Sequence, residues 1–263
     1  MITSLMALTA GELSVKIIDV QTPIIIPFAP RYFGKTCLLH RLIHYIRNNG
    51  YVVNLDVFFL PPHIAHNSNI MAEYTNSLCS PYSPCTTYIP IFGGFYSFHG
   101  KRIIQFVDFP GDFVYNINHP NTPSALKEII ASPNKKIWLF MLELDSFGGQ
   151  IERANYSERI KEVATHISPN DKIIIVVNKI DMCSLDLKSK KNIVQALYLQ
   201  YPAVLDCFKN RNPVTKLWKP FNCDIVPFSA GDFCRTCNNI EVFQPGLDIY
   251  PKQLWKAIYK SLP

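Results

Sequence analysis

The chain has 263 residues and a net charge of +6, and 48% of the residues are apolar while only 17% are charged. This composition supports a sizeable buried core and excludes the class of disordered proteins. The mild positive charge suits a phosphate ligand or an acidic partner, but no basic run resembles a nucleic-acid-binding arm.

Apolar, β-branched runs alternate with helix-like stretches along the chain. The runs predicted to form strands are Thr22–Phe28, Tyr88–Phe98, Arg102–Asp108, Lys136–Leu144, Lys172–Asn178 and Cys223–Phe228. The stretches predicted to form helices are Lys35–Asn49, Ser124–Ala131, Gln150–Ile167, Leu187–Tyr201 and Gln253–Leu262. This alternation predicts an α/β fold with a mostly parallel sheet and helices on both faces.

One pair of predicted strands breaks the alternation. Only His99–Lys101 separates the second strand from the third, which is too short for a crossover helix. These two strands are therefore predicted to be antiparallel.

Two segments exceed ordinary loop length, and such segments are often functional. The first is Gly50–Cys85, where we predict a further strand at Tyr51–Phe59 and a short helix near Asn69–Leu78. The second, Asp206–Asn222, is basic and contains proline. Residues 1–21 precede the first core strand, and an additional edge strand is predicted there at Leu13–Val20.

Residues 29–36 fit the phosphate-loop pattern G-x-x-x-x-G-K-[ST] except at the first position. They are Ala29, Pro30, Arg31, Tyr32, Phe33, Gly34, Lys35 and Thr36. The segment follows a predicted strand and opens a predicted helix, which is the context that the motif requires. Main-chain N–H groups can surround phosphates there, Lys35 can contact the β and γ phosphates, and Thr36 can supply a hydroxyl to Mg²⁺. The alternative is a plain turn before a helix.

Residues 178–181, Asn-Lys-Ile-Asp, directly follow another predicted strand. The Asp181 carboxylate can accept two hydrogen bonds from guanine, whereas adenine offers no such pair of donors. Asn178 can brace the loop, and the Lys179 stem can cover the face of the base. Ser229 and Ala230 end the last predicted strand, where their N–H groups could reach the guanine O6. A strand-ending turn of solvated polar residues is the alternative.

Residues 108–111, Asp-Phe-Pro-Gly, end the third predicted strand. Asp108 can hold Mg²⁺ through water, and Gly111 can bring its N–H close to a γ-phosphate; a simple β-turn is the alternative. Thr86 and Thr87 precede the predicted hairpin, and either hydroxyl could reach Mg²⁺, with Thr87 favoured.

These segments all fall at the carboxyl ends of predicted strands, where open α/β sheets bind ligands. Together, Ala29–Thr36, Thr87, Asp108–Gly111, Asn178–Asp181 and Ser229–Ala230 resemble the P-loop GTPases of the translation-factor-related and Ras-like (TRAFAC) class. Within that class, the chain looks like divergent bacterial members that work with partner proteins.

The resemblance extends over roughly Thr22 to Leu262. It implies a three-layer fold with a mostly parallel six-stranded sheet and one antiparallel edge strand, in a single GTPase domain that spans residues 1–263. It also implies binding of GTP or GDP with Mg²⁺, a nucleotide-dependent switch, and a protein effector or activating partner. The N–H of Cys37 is implied to donate to the α-phosphate. Residues 50–87 would be an enlarged switch-like insertion, and residues 206–222 a basic loop.

The chain departs from the family pattern at Ala29 and Asp112, and in the phosphate loop the bulky Arg31, Tyr32 and Phe33 stand where the family often has small residues. Arg31 matches a position beside the γ-phosphate, where it could act as an arginine finger in cis, point to solvent, or block a partner's finger. Asp112 stands where Ras-like members carry a water-orienting Gln, which predicts slow intrinsic hydrolysis. The leading hypothesis is a GTPase switch; the alternatives are a GTP- or GDP-binding interaction module with little turnover, and an ATPase or nucleotide kinase, which residues 178–181 oppose.

The sequence also predicts where the protein works. Its eight cysteines form no disulfide framework, and no signal peptide, membrane-spanning run or lipid-anchor motif is evident. We therefore expect a cytoplasmic protein with reduced thiols, no membrane anchor and no nucleic-acid partner. The pair Cys234 and Cys237 leaves open either zinc binding or free thiols.

Overall fold

The computed structural model describes residues 21–54, 91–96, 101–109, 111, 124–144, 149–183, 189–235 and 241–262. The strands are β1 (Ile24–Phe28), β2 (Val52–Asn54), β3 (Ile91–Tyr96), β4 (Arg102–Asp108), β5 (Lys136–Glu143), β6 (Lys172–Asn178), β7 (Asp224–Pro227), β8 (Gly231–Arg235) and β9 (Glu241–Pro245). The helices are α1 (Lys35–Asn48), α2 (Ser124–Ala131), α3 (Gln150–Ala164), α4 (Lys190–Gln200), α5 (Pro202–Cys207) and α6 (Ile249–Tyr259). No helix among these residues is both long and apolar enough to cross a membrane.

The main sheet has the strand order β2-β3-β4-β1-β5-β6-β7. Strand β1 pairs in parallel with β4 and β5, and β6 pairs in parallel with β5 and β7. Strand β3 is antiparallel to β4, as predicted, and β2 pairs with its other side. The predicted fold class is thus confirmed, and the short β2 places the antiparallel strand second from the edge.

The central strands β1 and β5 are buried along their whole length. This burial is expected where helices cover both faces of a parallel sheet, and it explains why these segments are continuous apolar runs. The rings of Phe28, Trp138 and Phe140 contact one another across the two strands, with centroids 5.5–6.3 Å apart. The packed core fixes the carboxyl ends of the strands, from which the loops of the candidate site emerge.

Two helix boundaries differ from the prediction for local reasons. Helix α6 begins at Ile249 rather than Gln253, because Pro251 lies in its first turn, where a missing N–H costs no intrahelical bond. Helix α4 begins after Ser189, whose Oγ accepts a hydrogen bond from the Asn192 N–H. The strand predicted at Leu13–Val20 and the helix predicted near Asn69–Leu78 lie outside the described residues.

Candidate nucleotide-binding site

Four of the predicted segments lie at one edge of the sheet. They follow β1, β4, β6 and β7, which run in the same direction, so their carboxyl ends meet at that edge. Open α/β sheets place ligands in the crevice at this edge. Thr86, Thr87 and Asp112 lie outside the described residues, so the structure leaves their predicted roles untested.

The bulky side chains of the phosphate loop (residues 29–36) point in opposite directions. Phe33 is 1% exposed, and its ring lies edge-on to that of Tyr156 at 5.5 Å. Tyr32 is 80% exposed and has φ 65°, a left-handed conformation that is rare for a large side chain. Phe33 therefore anchors the loop in the core, and the neighbouring residue carries backbone strain of the kind found at functional sites.

The residues that start α1 are arranged to receive an anion. Gly34 has φ 70° and cannot cap the helix with a side chain, so the N–H groups at the start of α1 are suited to a phosphate. Lys35 is buried, and its Nζ donates to the carbonyls of Ala29 at 2.9 Å and Pro30 at 2.7 Å. Its ammonium group thus lies over the phosphate loop, where it can contact bound phosphates.

Asp108 ends β4 as a buried carboxylate close to the start of α1. Burial raises the pKa of the Cys37 thiol, and the nearby charge of Asp108 raises it further. Asp108 therefore lies close to the first turn of α1, which also carries Thr36. Hydroxyl and carboxylate oxygens are the ligands that Mg²⁺ prefers, so the donor set of Thr36 and Asp108 fits this ion.

Gly111 lies directly against the phosphate loop. A Cβ atom at this position would come within 2.3 Å of the Arg31 nitrogen and 2.5 Å of the Arg31 Cα. Such distances leave no room for a side chain, so only glycine allows the main chain after β4 to approach the loop this closely. The segments after β1 and β4 therefore form one surface.

Asn178 connects the guanine motif (residues 178–181) to the phosphate loop. Its Nδ2 donates to the Phe33 carbonyl at 2.7 Å, and the side chain is buried. Within the described part of the chain, its Oδ1 is buried and accepts no hydrogen bond. Buried acceptors normally have a donor, so this oxygen is available to a ligand or to bound water. Asp181 lies three residues further along the chain, in a short 3₁₀ helix, and it is exposed.

Lys179 makes a second connection between the same two loops. It has φ 52°, and its Nζ donates to the Tyr32 carbonyl at 3.0 Å. The same ammonium lies 2.9 Å from the buried Glu143 carboxylate, which ends β5. The sequence analysis missed Glu143, because a single acidic residue at the end of a buried strand gives only a weak signal.

Ser229 and Ala230 follow the last strand of the main sheet and lie close to the guanine motif. The Ile180 N–H donates to the Phe228 carbonyl at 3.2 Å, which joins the two segments. The Ala230 carbonyl accepts from the Gly246 N–H at 3.1 Å, and the Gly246 carbonyl accepts from Arg41 of α1 at 2.7 Å. The loop after β7 is thus tied to the helix that follows the phosphate loop.

A β8–β9 hairpin, which the sequence analysis did not predict, immediately follows Ala230. Gly231 begins it with φ 125°, and a Cβ there would come within 2.1 Å of the Gln244 carbonyl. Cys234 lies on β8, whereas Cys237 falls outside the described residues. The question of zinc or free thiols at this pair therefore stays open.

No protein-family model matches the chain, and no curated protein matches it. Solved structures do resemble it. A structure of the chloroplast translocon components atToc33 and psToc159 matches with a TM-score of 0.50 and 12% identity. The match covers 99% of this chain and 90% of the chain in that structure. The chain has the P-loop GTPase fold.

Two further structures are similar at lower scores. The signal recognition particle receptor SRb-GTP/SRX complex from Chaetomium thermophilum matches with a TM-score of 0.47 and 14% identity, over 90% of this chain and 98% of that chain. A protein described as nucleolar GTP-binding protein 1, from Plasmodium falciparum, matches with a TM-score of 0.46 and 18% identity, over 93% of this chain and 88% of the Plasmodium chain.

Proposed function

We propose that the chain binds GTP and GDP with Mg²⁺ and hydrolyses GTP, as a molecular switch that acts on a protein partner. The observation that supports this most directly is the 2.7 Å hydrogen bond from Asn178 to the Phe33 carbonyl. It brings together two motifs that were predicted independently from distant segments of the sequence. One of them suits phosphate chemistry and the other suits guanine.

The proposed roles follow from the chemistry of each side chain. Lys35 and the main chain of residues 29–34 and Cys37 would contact the phosphates, and Gly111 would donate its N–H to the γ-phosphate. Thr36 and Asp108 would hold Mg²⁺, which neutralises charge on the phosphates. Asp181 would accept from the guanine N1–H and 2-amino groups, while Lys179 covers the base and Ser229 and Ala230 approach its O6. Thr87 as a further metal ligand and Asp112 near the attacking water complete the proposal.

A second candidate is a GTP- or GDP-binding interaction module with little hydrolysis. It is favoured by Asp112 in place of a water-orienting amide, and by the position of Arg31, whose Cζ lies 5.7 Å from the centroid of the Tyr32 ring. Multiple-turnover phosphate release separates the two candidates, because only an enzyme releases more phosphate than there are protein molecules.

The finer assignments also belong to this proposal. They are membership of the TRAFAC class, a divergent bacterial type, a single GTPase domain, and a cytoplasmic location with reduced thiols. Cys37, Cys207 and Cys223 are free thiols in the structure.

The deciding experiment measures affinities for GTP, GDP, ATP and XTP in the presence of Mg²⁺, for the wild type and for Asp181→Asn. We expect guanine nucleotides to bind on the order of 100-fold or more tightly than ATP, since adenine cannot donate the two charge-assisted hydrogen bonds that Asp181 would accept from guanine. Asp181→Asn should lose GTP affinity and gain XTP affinity, because the new amide donates to the 2-oxo group of xanthine.

Asp206→Asn is the matched control, since it neutralises an exposed carboxylate on α5, outside the four segments of the candidate site. It should leave all four affinities unchanged. Equal wild-type affinity for ATP and GTP would show that the assignment of guanine specificity is wrong.

A further inference from the structure

The segment Phe208–Cys223, which precedes β7, is an ordered loop closed at its base. Lys209 and Phe221 form an antiparallel bridge. Next to it, the Asn210 N–H donates to the Pro220 carbonyl at 2.8 Å, and the Asn222 N–H donates to the Phe208 carbonyl at 2.7 Å. The two ends of the loop are thus joined as a short ladder.

Two asparagine side chains fix the shape inside this 208–223 loop. The buried Asn210 donates to the Thr215 hydroxyl and to the Lys219 carbonyl, both at 2.8 Å. The Asn212 Oδ1 accepts from the N–H groups of Val214 at 2.9 Å and Thr215 at 3.1 Å. These contacts hold the tip of the loop in one conformation.

The ordered tip presents large apolar side chains to solvent. Thr215–Leu217 form a single 3₁₀ turn, so Val214 and Leu217, three residues apart, project from about the same side, and Trp218 directly follows Leu217. They are 60%, 79% and 70% exposed, respectively. Leucine and tryptophan are usually well buried, and a fixed loop that holds them outward indicates a binding surface.

All the charged side chains within the 208–223 loop are basic. From Cys207 to Cys223 the sequence contains Lys209, Arg211, Lys216 and Lys219 but no Asp or Glu. Lys209 pairs with Asp206 at 3.0 Å, while Arg211, Lys216 and Lys219 are exposed beside the apolar tip. The surface therefore suits a partner that has negative charges at its surface and an apolar region directly below them.

We propose that this basic apolar tip inserts into the interface of an anionic lipid bilayer. Its residues are Arg211, Val214, Lys216, Leu217, Trp218 and Lys219. A fully buried tryptophan covers about 150–250 Å², and valine and leucine are smaller than tryptophan, so the three side chains cover less than the ~800 Å² per partner of a stable protein complex. Membrane interfaces require far less area, because tryptophan and aliphatic groups enter the headgroup region while lysine and arginine contact anionic lipids.

The position of the tip leaves the nucleotide site accessible. The 208–223 loop precedes β7, and Lys172 and Asp224, at the amino ends of β6 and β7, pair at 2.8 Å. The loop thus emerges at the amino edge of the sheet, while the nucleotide motifs follow the carboxyl ends. The proposal for the tip therefore does not rest on the proposed binding of GTP.

The test is sedimentation of the full chain with phosphatidylcholine vesicles that contain either no or about 30% phosphatidylserine. We expect binding to the anionic vesicles only, weakened by salt. Of the three tryptophans, Trp138 and Trp255 are buried, so the accompanying blue shift of emission reports on Trp218. Trp218→Phe should keep most of the binding and lose the shift.

The variants are chosen to distinguish vesicle binding by this tip from nonspecific adsorption of the protein. Trp218→Ala should reduce partitioning on the order of tenfold, and Lys216→Gln with Lys219→Gln on the order of 30-fold. The matched controls are Ile151→Ala, at a side chain that is 74% exposed on α3, and Lys127→Gln with Lys252→Gln on other helices. These controls should bind vesicles as the wild type does.

Three results would overturn the proposal. The first is equal binding to neutral and anionic vesicles, or none to either. The second is wild-type partitioning of the Trp218→Ala variant. The third is a concentration-dependent dimer, seen by light scattering and abolished by Trp218→Ala, since a second copy of the chain would then cover the tip.

Discussion

The two ends of the candidate site are held in place by different kinds of contact. At the phosphate end, Phe33 is buried against Tyr156, and Ala29 is fully buried. At the guanine end, Asn178 donates to a main-chain carbonyl and Lys179 pairs with Glu143 at 2.9 Å. Packing depends on side-chain volume, whereas polar contacts depend on donors and charge. Substitutions at the two ends should therefore affect stability and binding to different degrees.

The largest expected effect is at the packed end. Phe33→Ala should lower the free energy of unfolding by about 3–5 kcal/mol, because it leaves a cavity beside Tyr156. Urea unfolding without nucleotide measures this. Tyr32→Ala is the matched control, and it should cost less than about 1 kcal/mol because that ring is 80% exposed. Similar losses in both variants would contradict the assignment of Phe33 as the anchor.

Lys35 separates binding from stability within the same loop. Lys35→Ala should weaken GTP binding on the order of 100-fold, about 2.7 kcal/mol, because a cation on the phosphates is lost. The free energy of unfolding without nucleotide should change by less than about 1 kcal/mol, since desolvation of the ammonium offsets its hydrogen bonds to Ala29 and Pro30.

Calorimetric titration with Mg²⁺–GTP measures the affinity of this variant. Lys252→Ala, which removes an exposed cation on α6, is the control. Thr36→Ala should also weaken Mg²⁺-dependent binding. Wild-type affinity in the Lys35→Ala variant would show that residues 29–36 are a plain turn.

Asn178 tests the polar end. Asn178→Ala removes the donor to the Phe33 carbonyl, so it should lower the free energy of unfolding by about 1–2 kcal/mol, less than the loss at Phe33. It should also weaken GTP binding roughly tenfold, because one of the two connections between the phosphate loop and the guanine motif is lost. Asn170→Ala, at an exposed turn, is the control. If Asn178→Ala were as destabilising as Phe33→Ala, the contrast between the two ends would be lost.

The sequence predicted the fold well because its strongest signals coincide with the buried strands. A strand covered on both faces is an unbroken apolar run, and Lys136–Glu143 and Lys172–Asn178 are such runs. The motifs that follow these strands are short and local. Their positions at one edge of the sheet could therefore be predicted from the strand order alone. The proximity of Asn178 to the phosphate loop follows from that order.

Contacts between distant residues with weak local signals could not be predicted. Glu143 is one acidic residue at the end of a strand, and nothing in its neighbourhood points to Lys179. The β8–β9 hairpin was missed because its strands are short and polar. The contact of Gly111 with Arg31 depends on main-chain paths on two separate strands. The phosphate-loop pattern leaves the position of Phe33 unspecified, so its burial in the core could not be predicted from the motif.

His40 gives a smaller, pH-dependent test of the helix at the phosphate end. Burial lowers its pKa from 6.5 to about 3. Between these values the unfolded chain binds a proton that the folded chain does not, so stability falls as the pH is lowered through this window. From pH 6.5 to 5 the loss should be about 1.6 kcal/mol. His40→Gln should remove that loss in urea unfolding, while His44→Gln, exposed on the same helix, should retain it. Equal pH dependence in all three proteins would contradict this assignment.

The smallest expected effect is that of Arg31 on GTP hydrolysis. Its guanidinium carbon lies 5.7 Å from the centroid of the Tyr32 ring, and that side chain is 80% exposed, so the arginine extends along the outside of the phosphate loop. Ras-type GTPases without an arginine finger turn over at about 10⁻⁴ s⁻¹, and a finger adds about 10³–10⁵-fold. We therefore predict slow single-turnover hydrolysis that Arg31→Ala changes by less than about threefold, with unchanged GTP affinity. Arg47→Ala, at the far end of α1, is the control. If the hydrolysis rate fell by about 10³-fold or more in Arg31→Ala but not in the control, Arg31 would instead be identified as an arginine finger acting in cis. The charge that stabilises the transition state would then lie at the phosphate end of the site.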